Sequence, residues 1–260
     1  MNRTFAEPDW PEAAPGQQKE LWVKYVRNLY DILARLRAKH PDLEIESCSG
    51  GGGRVDLGIM RYVDKFWTSD NTEPFDRLRI QEGFSEAYAA KFMSAWVTDV
   101  PNQNGRTTSL AYRFLVAMQG ALGIGANLNK WSDEDSRVAS GFIALDKRIR
   151  ETVQFGSLHR LLSPQTSDTT ANEYVAANGK QAVLFAFRHS QQYKTLPPML
   201  YLRGLDTRAL YPVSPIDGKL EGGARTLSGA FLMQNGLQLE LKGDFDSTAV
   251  VLERVNQPVR

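Results

Sequence analysis

Residues 45–70 read IESCSGGGGRVDLGIMRYVDKFWTSD, and the fold turns on how this stretch is taken. A short apolar approach, Leu43-Glu44-Ile45, leads to Cys48 and Ser49, then to Gly50, Gly51, Gly52 and Gly53, and at once to Arg54 and Asp56. Four glycines in a row give up side-chain packing and backbone stiffness, so they mark a place where main chain comes close to another group. Arg54, Asp56 and Asp70 are charges clustered around a backbone-exposing turn, the arrangement of a polar small-molecule site. Phe66-Trp67-Thr68-Ser69 is a second strand-like piece, and it ends at Asp70-Asn71-Thr72. Two strands that both finish in polar, reactive residues describe how a (β/α) barrel builds an active site at the C-terminal ends of its strands.

Toward the N-terminus, Pro8, Pro11 and Pro15 make residues 1–16 an irregular loop. Apolar residues then recur at Leu21, Tyr25, Leu29, Ile32, Leu33 and Leu36, which predicts an amphipathic helix over 17–39, ended by His40-Pro41. Toward the C-terminus, residues 57–64 read as a short helix or loop. Thr72 with Pro74 starts a helix that runs to about Tyr88. Residues 92–97 form a third strand, which finishes in Thr98-Asp99-Val100-Pro101-Asn102, and a short helix beyond Phe114 leads to a strand at 122–124. Ser132 before Asp133, Glu134 and Asp135 resembles a capping box, with Val138, Phe142, Leu145, Ile149 and Val153 as the buried stripe of the helix it opens. Helices and strands alternate through about Phe155, the pattern of a parallel α/β sheet.

Beyond that point the texture changes. Residues 161–178, with SPQTSDTTANE inside them, read as a polar linker, and the apolar segments that follow are short. Leu237, Leu239 and Leu241 are spaced by two, as a half-buried strand requires, and Asn178-Gly179, Asp217-Gly218, Asn235-Gly236 and Lys242-Gly243 supply turns. The expectation is an antiparallel β-sandwich over 161–260 attached to an α/β part over 1–160.

Among the 260 residues, 31 Lys and Arg oppose 30 Asp and Glu, a net charge of +1. Nothing electrostatic points to nucleic acid or an anionic membrane, and a neutral small substrate is the easier expectation. One cysteine excludes an internal disulfide, and His40, His159 and His189 have no metal-ligand spacing. No apolar run approaches the roughly 18 residues of a membrane span and no signal-peptide pattern stands at the start, so cytoplasm is the expected location. Cys48 reads first as a small buried hydrophobe, because no histidine lies near it in sequence to activate a thiolate.

The run Glu46-Ser47-Cys48-Ser49-Gly50-Gly51-Gly52-Gly53-Arg54-Val55-Asp56 with Trp67-Thr68-Ser69-Asp70 resembles the signature of the α-galactosidases of glycoside hydrolase family 36. The likeness extends to Arg77-Leu78-Arg79-Ile80-Gln81, to Val100-Pro101-Asn102 with Gly105-Arg106, and to residues 120–125. It implies the C-terminal half of a (β/α)8 TIM barrel followed by a β-sandwich, and a retaining hydrolase of α-galactosides that needs neither metal nor organic cofactor. Retention uses two carboxylates about 5 to 5.5 Å apart, one a nucleophile and one a proton donor.

By resemblance the donor is Asp70, whose chemistry favours a partly desolvated mouth that Phe66 and Trp67 help supply. Taken without the motif, Asp70 reads as a helix cap before Thr72-Glu73-Pro74. Cys48, Ser49, Gly50 and Gly51 resemble the family's galactose-binding loop, and Arg54 and Asp56 lie in the same motif, either against substrate or as an ion pair holding the loop. The chain opens Met1-Asn2-Arg3, the residues that follow the family's Lys-Trp-Asp nucleophile motif, so Asn2 is a sugar-binding remnant. The nucleophile, the first half of the barrel and an N-terminal β domain are expected ahead of Met1; neither Asp9 nor Asp99 matches the nucleophile motif. Two functional readings follow: a truncated α-galactosidase, or a non-catalytic galactoside-binding module or half of a split enzyme that pairs with a complementing N-terminal half. Close rivals in activity are α-N-acetylgalactosaminidase and galactosyl transfer, and relatives of this kind form homo-oligomers.

Overall fold

The structure, a computed structural model, describes residues 10–193 and 195–255. The chain divides into two compact units, Met1–Asp70 and Asn71–Arg260. Asn2 and Asp9 lie outside the described residues.

The first unit holds helix α1 (Glu20–Lys39), strand β1 (Glu46–Ser47), a 3-10 turn at Ile59–Arg61 and strand β2 (Lys65–Trp67). β1 and β2 run parallel, with Glu46 opposite Lys65 and Ser47 opposite Phe66. Parallel neighbours need a connection across the sheet, and residues 48–64 provide it as loop and 3-10 turn rather than a long helix. Arg37 ties α1 to this connection: its Nε donates to the Tyr62 carbonyl at 2.9 Å, and its other nitrogens bond the Leu43 carbonyl and the Asp64 carboxylate. The predicted helix is present, and its apolar face is not buried. Tyr25, Ile32 and Leu36 stay 40, 46 and 37% exposed, and no residue of α1 is buried. Periodicity marks a face built for burial; within this unit α1 is held by polar side chains instead.

The second unit begins with α2 (Pro74–Ser85), β3 (Met93–Thr98), α3 (Leu110–Ala117), β4 (Ala121–Gly125) and α4 (Asp133–Phe155). β3 and β4 are parallel, with Ser94 opposite Ala121 and Thr98 opposite Gly125. Local chemistry sets the helix starts. Glu73, rather than Thr72, caps α2, and Pro74 takes the first helical position, where a missing N–H does no harm. Ser132 and Asp135 form the capping box of α4. α2 ends at Ser85, three residues short of expectation.

Antiparallel strands follow: β5 (Ser157–Leu162), β6 (Thr169–Val175), β7 (Gln181–Arg188), β8 (Leu210–Val213), β9 (Arg225–Ser228) and β10 (Asp246–Glu253), with a short helix α5 (Gly229–Gln234) that the turn-rich sequence does not announce. One sheet has the order β10-β7-β6-β5, and β8 pairs β9. Period two divides β7 between two cores: Val183, Phe185 and Phe187 pack with Ala95, Val97, Phe114, Leu115 and Ile149, while Ala182, Leu184 and Ala186 pack with Leu202, Tyr211, Leu237, Leu239 and Leu241. β7 therefore reads as a continuous apolar run because both of its faces are covered. The expected linker at 161–178 is corrected: it contains the end of β5 and all of β6. Its Thr169, Thr170 and Glu173 are buried. Leu237, Leu239 and Leu241 are buried as predicted, but Leu237 and Leu239 pair through isolated bridges to Leu200 and Leu220 instead of a regular strand.

Candidate functional site

Ser47, at the end of β1, is buried, and its hydroxyl donates to the Arg54 carbonyl at 2.9 Å. Inside that closure the Ser49 N–H reaches the Gly51 carbonyl at 3.0 Å and the Gly53 N–H reaches the Ser49 carbonyl at 3.1 Å, so the glycine run folds back on itself. Gly51 has φ +80°, and a Cβ there would stand 2.8 Å from Ser69 Cα and 3.0 Å from the Asp70 nitrogen. At Gly53 a Cβ would meet the Ser49 carbonyl oxygen at 2.5 Å. No side chain fits at either place, so Gly51 is demanded by the approach of this turn to the chain leaving β2 and Gly53 by the fold of the turn back onto Ser49.

Asp70 sits at that approach with an exposed side chain. Trp67, only 8% exposed, donates its indole Nε1–H to Asp70 Oδ1 at 2.9 Å. An indole donates and has no lone pair to accept, so Oδ1 is the acceptor and Oδ2 is the oxygen left for other partners. The arrangement is an oriented acid beside a turn rich in main-chain donors and acceptors. It can give a proton to a ligand oxygen while hydroxyl groups are held by backbone.

Cys48 is a half-buried free thiol whose carbonyl accepts from Arg54 Nη1 at 3.0 Å, while Arg54 Nη2 donates to the Tyr25 hydroxyl at 2.7 Å. Asp56 Oδ1 accepts from the Tyr30 hydroxyl at 2.6 Å and from the N–H groups of Gly58 and Ile59 at 2.7 and 2.9 Å. Burial works against the Asp56 charge, but the bonds from Tyr30, Ile59 and Gly58 outweigh it and hold the carboxyl below its ordinary value. The same bond, with burial, pushes the Tyr30 hydroxyl up to about 12. Among the described residues Arg54 and Asp56 form no ion pair with each other; each braces the loop to a tyrosine of α1. Sequence reasoning missed these two tyrosines, because Tyr25 was counted with the apolar stripe and the hydroxyl is what matters. It also missed the Trp67 bond, for which the three-residue spacing to Asp70 was the available signal.

In the second unit the chain after Asp70 is tied down by its own side chains. Asn71 Oδ1 accepts the Glu73 N–H at 3.0 Å, and Asn71 Nδ2 donates to Asp76 Oδ2 at 2.7 Å. Arg77 is buried; it donates to the Ser94 carbonyl at 2.7 Å, and burial pushes its guanidinium down to about 10. Asp99 accepts the Asn127 N–H at 3.1 Å. Among the described residues no group of three or more His, Cys, Asp and Glu side chains could hold a metal ion, and no helix is long and apolar enough to cross a membrane.

Comparisons with known proteins agree along nearly the whole length. The family model described as Melibiase matches residues 1–156, and that of the glycosyl hydrolase family 36 C-terminal domain matches residues 169–252. Alpha-galactosidase 2 of Hypocrea jecorina is 38% identical over 232 residues, which are 88% of this chain and 30% of that protein. A variant of the GH36 alpha-galactosidase AgaA from Geobacillus stearothermophilus, solved in complex with 1-deoxygalactonojirimycin, superposes with a TM-score of 0.90 at 35% identity, covering 98% of this chain and 35% of that one. Another AgaA variant, in complex with raffinose, gives a TM-score of 0.87 at 34% identity over 94% of this chain and 33% of its own. The chain thus spans about a third of the length of the relatives it matches. These likenesses bear out the fold expected from the residues, part of an α/β barrel followed by an antiparallel sandwich.

Proposed function

The chain belongs to the Melibiase family, glycoside hydrolase family 36, and on that premise we propose that it carries the proton-donor side of an α-galactosidase site. Asp70 protonates the glycosidic oxygen of a terminal, non-reducing α-D-galactoside, and Cys48, Ser49, Gly50 and Gly51 receive the sugar hydroxyls. In a retaining double displacement a second carboxylate attacks the anomeric carbon as the leaving group takes its proton from Asp70; Asp70 then draws a proton from the water that releases galactose. Residues 1–160 supply this chemistry and residues 161–260 form the C-terminal β module.

One observation supports the reading above others: Gly51 is pressed against the Asp70 backbone while Trp67 orients the Asp70 carboxyl. Within the first unit Asp56 and Asp64 are both held by other partners, Asp64 by Arg37 and the Ile45 N–H. No Lys-Trp-Asp segment occurs among the described residues, so the attacking carboxylate of this proposal comes from polypeptide other than them. The complex of an AgaA variant with raffinose supports galactosides of the raffinose type as the substrate class. A galactoside-binding module without catalysis is the second reading, and it rests on the same missing carboxylate.

The test is a titration of the purified chain with 1-deoxygalactonojirimycin, followed through the backbone amides of residues 48–53 and 67–70, together with hydrolysis of an aryl α-galactoside. Binding at those amides and negligible hydrolysis until a polypeptide bearing a Lys-Trp-Asp segment is added are the expected results. Binding without such rescue selects the module, absence of binding removes the site, and full hydrolysis by the chain alone removes the external nucleophile.

A further inference from the structure

We propose that Phe245, carried by the turn ahead of β10, is a positioning residue that locks the N-terminal cap of α2 and so fixes the chain on the C-terminal side of Asp70; its functional meaning rests on the proton-donor reading of Asp70. The cap is unusual in being a fully buried carboxylate. Glu73 Oε1 accepts the Phe75 N–H at 3.2 Å and Oε2 the Asp76 N–H at 2.8 Å. A buried charge of this kind needs an opposite one, and Arg106, from the loop after β3, pairs with Oε2.

Arg106 also lies 3.7 Å from Asp76 Oδ1, and two aromatic rings stand beside it. Its guanidinium carbon lies 5.0 Å from the Phe75 ring centre and 5.2 Å from that of Phe245, so the planar cation is flanked by two rings whose centres are 5.8 Å apart. Phe75 belongs to the helix being capped. Phe245 belongs to the antiparallel module, and it also meets Tyr112 of α3 edge-on at 6.1 Å.

The backbone of Phe245 gives an independent sign that this placement is imposed. It has φ +55°, left-handed space that a bulky residue adopts only when its surroundings hold it there. Those surroundings are a braced turn: Asp246 Oδ2 accepts the Lys242 N–H at 2.8 Å, Gln191 Oε1 accepts the Gly243 N–H at 2.6 Å, and Lys219 bonds Asp246 Oδ1 at 2.5 Å. The strain brings an aromatic face onto Arg106, Arg106 neutralises Glu73, and Glu73 is bonded through its own N–H to Asn71, the residue directly after Asp70.

Amide hydrogen exchange on the 260-residue chain tests the chain of contacts without relying on hydrolysis. Phe245→Leu, which keeps apolar bulk and removes the ring, is expected to speed exchange at the Glu73, Phe75 and Asp76 amides by at least about tenfold while Val183 and Phe185 in β7 are unchanged. Phe245→Tyr restores the slow rates. Arg106→Lys keeps the charge but not the plane, reproduces the local acceleration, and decides the matter if Phe245→Leu does not fold. Unchanged rates at the three amides, or equal acceleration in β7, overturn the proposal. Asp70→Asn leaves all of these rates alone, so failure of the proton-donor reading is registered separately.

Discussion

The Trp67 indole donates its N–H to Asp70 Oδ1 at 2.9 Å, so a buried ring directs an exposed acid. They stand three positions apart, and the turn that follows β2 closes them into a bonded pair. The pair gives the candidate acid an orientation that an exposed aspartate at a loop otherwise lacks.

Removing only the donor tests this. Trp67→Phe keeps most of the ring and is expected to cost about 1 kcal/mol of stability, the net worth of one hydrogen bond near the surface. In a 15N-labelled chain the Trp67 indole resonance is expected to shift in Asp70→Asn. An indole signal indifferent to Asp70→Asn contradicts the bond.

Gly51→Ala is the sharpest probe of the turn. The new methyl would sit 2.8 Å from Ser69 Cα on a residue already at φ +80°. The backbone has to shift, and a loss of roughly 2 kcal/mol or more in urea denaturation is expected, with loss of 1-deoxygalactonojirimycin binding. Gly50→Ala serves as the control for stability alone, since a Cβ there meets nothing within 4 Å, although its φ of +54° makes it mildly unfavourable.

Tyr30→Phe separates α1 from Asp56. One hydrogen bond of 2.6 Å is lost, and a stability decrease of about 1 kcal/mol near neutrality is expected. Asp56 is held below its ordinary value in the fold, so its contribution is present above that ordinary value and fades as the solution is acidified through the folded value. The variant removes the chief donor and therefore loses less stability on acidification than the parent, which denaturation near neutrality and at about pH 3 will show.

Glu173 gives the opposite pH dependence. The residue is fully buried on β6, Oε2 accepts the Arg203 N–H at 2.6 Å, and Oε1 has no partner among the described residues. Burial pushes the carboxyl up to about 7 against the pull of Arg203, from an ordinary 4.5. The fold therefore keeps a proton that the unfolded chain has already released. Stability from this group is full below about 4.5, falls as pH rises from there to about 7, and then levels; the total is about 3 kcal/mol. His189, pushed down to about 4 by burial, and His159, lowered by burial and Arg203, work in the other sense. The difference between parent and Glu173→Gln isolates the carboxyl: the gap favours the parent at pH 4.5 and narrows by pH 7.

Much of the α/β part was legible because its signals are local. The capping box at Ser132 and Asp135, and the stripe that ends in Ile149 and Val153, lie within one helix. Residues 161–178 were not legible, since Thr170, Asn172 and Glu173 look solvent-bound in sequence. Each has a partner at a distance: Thr170 has His189 at 2.6 Å, Asn172 has Gln119 at 2.8 Å, and Glu173 Oε2 has the Arg203 N–H. Those partners stand 19, 53 and 30 residues away, outside any local window. Polar strands of this kind are read as linkers until their partners are known.

By itself the sequence determined that Ser132 opens α4, that a glycine run stands ahead of Arg54, and that an acid closes the tryptophan segment, because these depend on neighbours a few residues apart. Tertiary structure alone decided that Gly51 lies on the Ser69–Asp70 backbone, that Arg54 and Asp56 turn to Tyr25 and Tyr30 rather than to each other, and that Phe245 reaches Arg106. The reason is entropic. A contact between distant residues forms only where burial and bonding offset the ordering of all the chain between them, and that sum belongs to the whole fold.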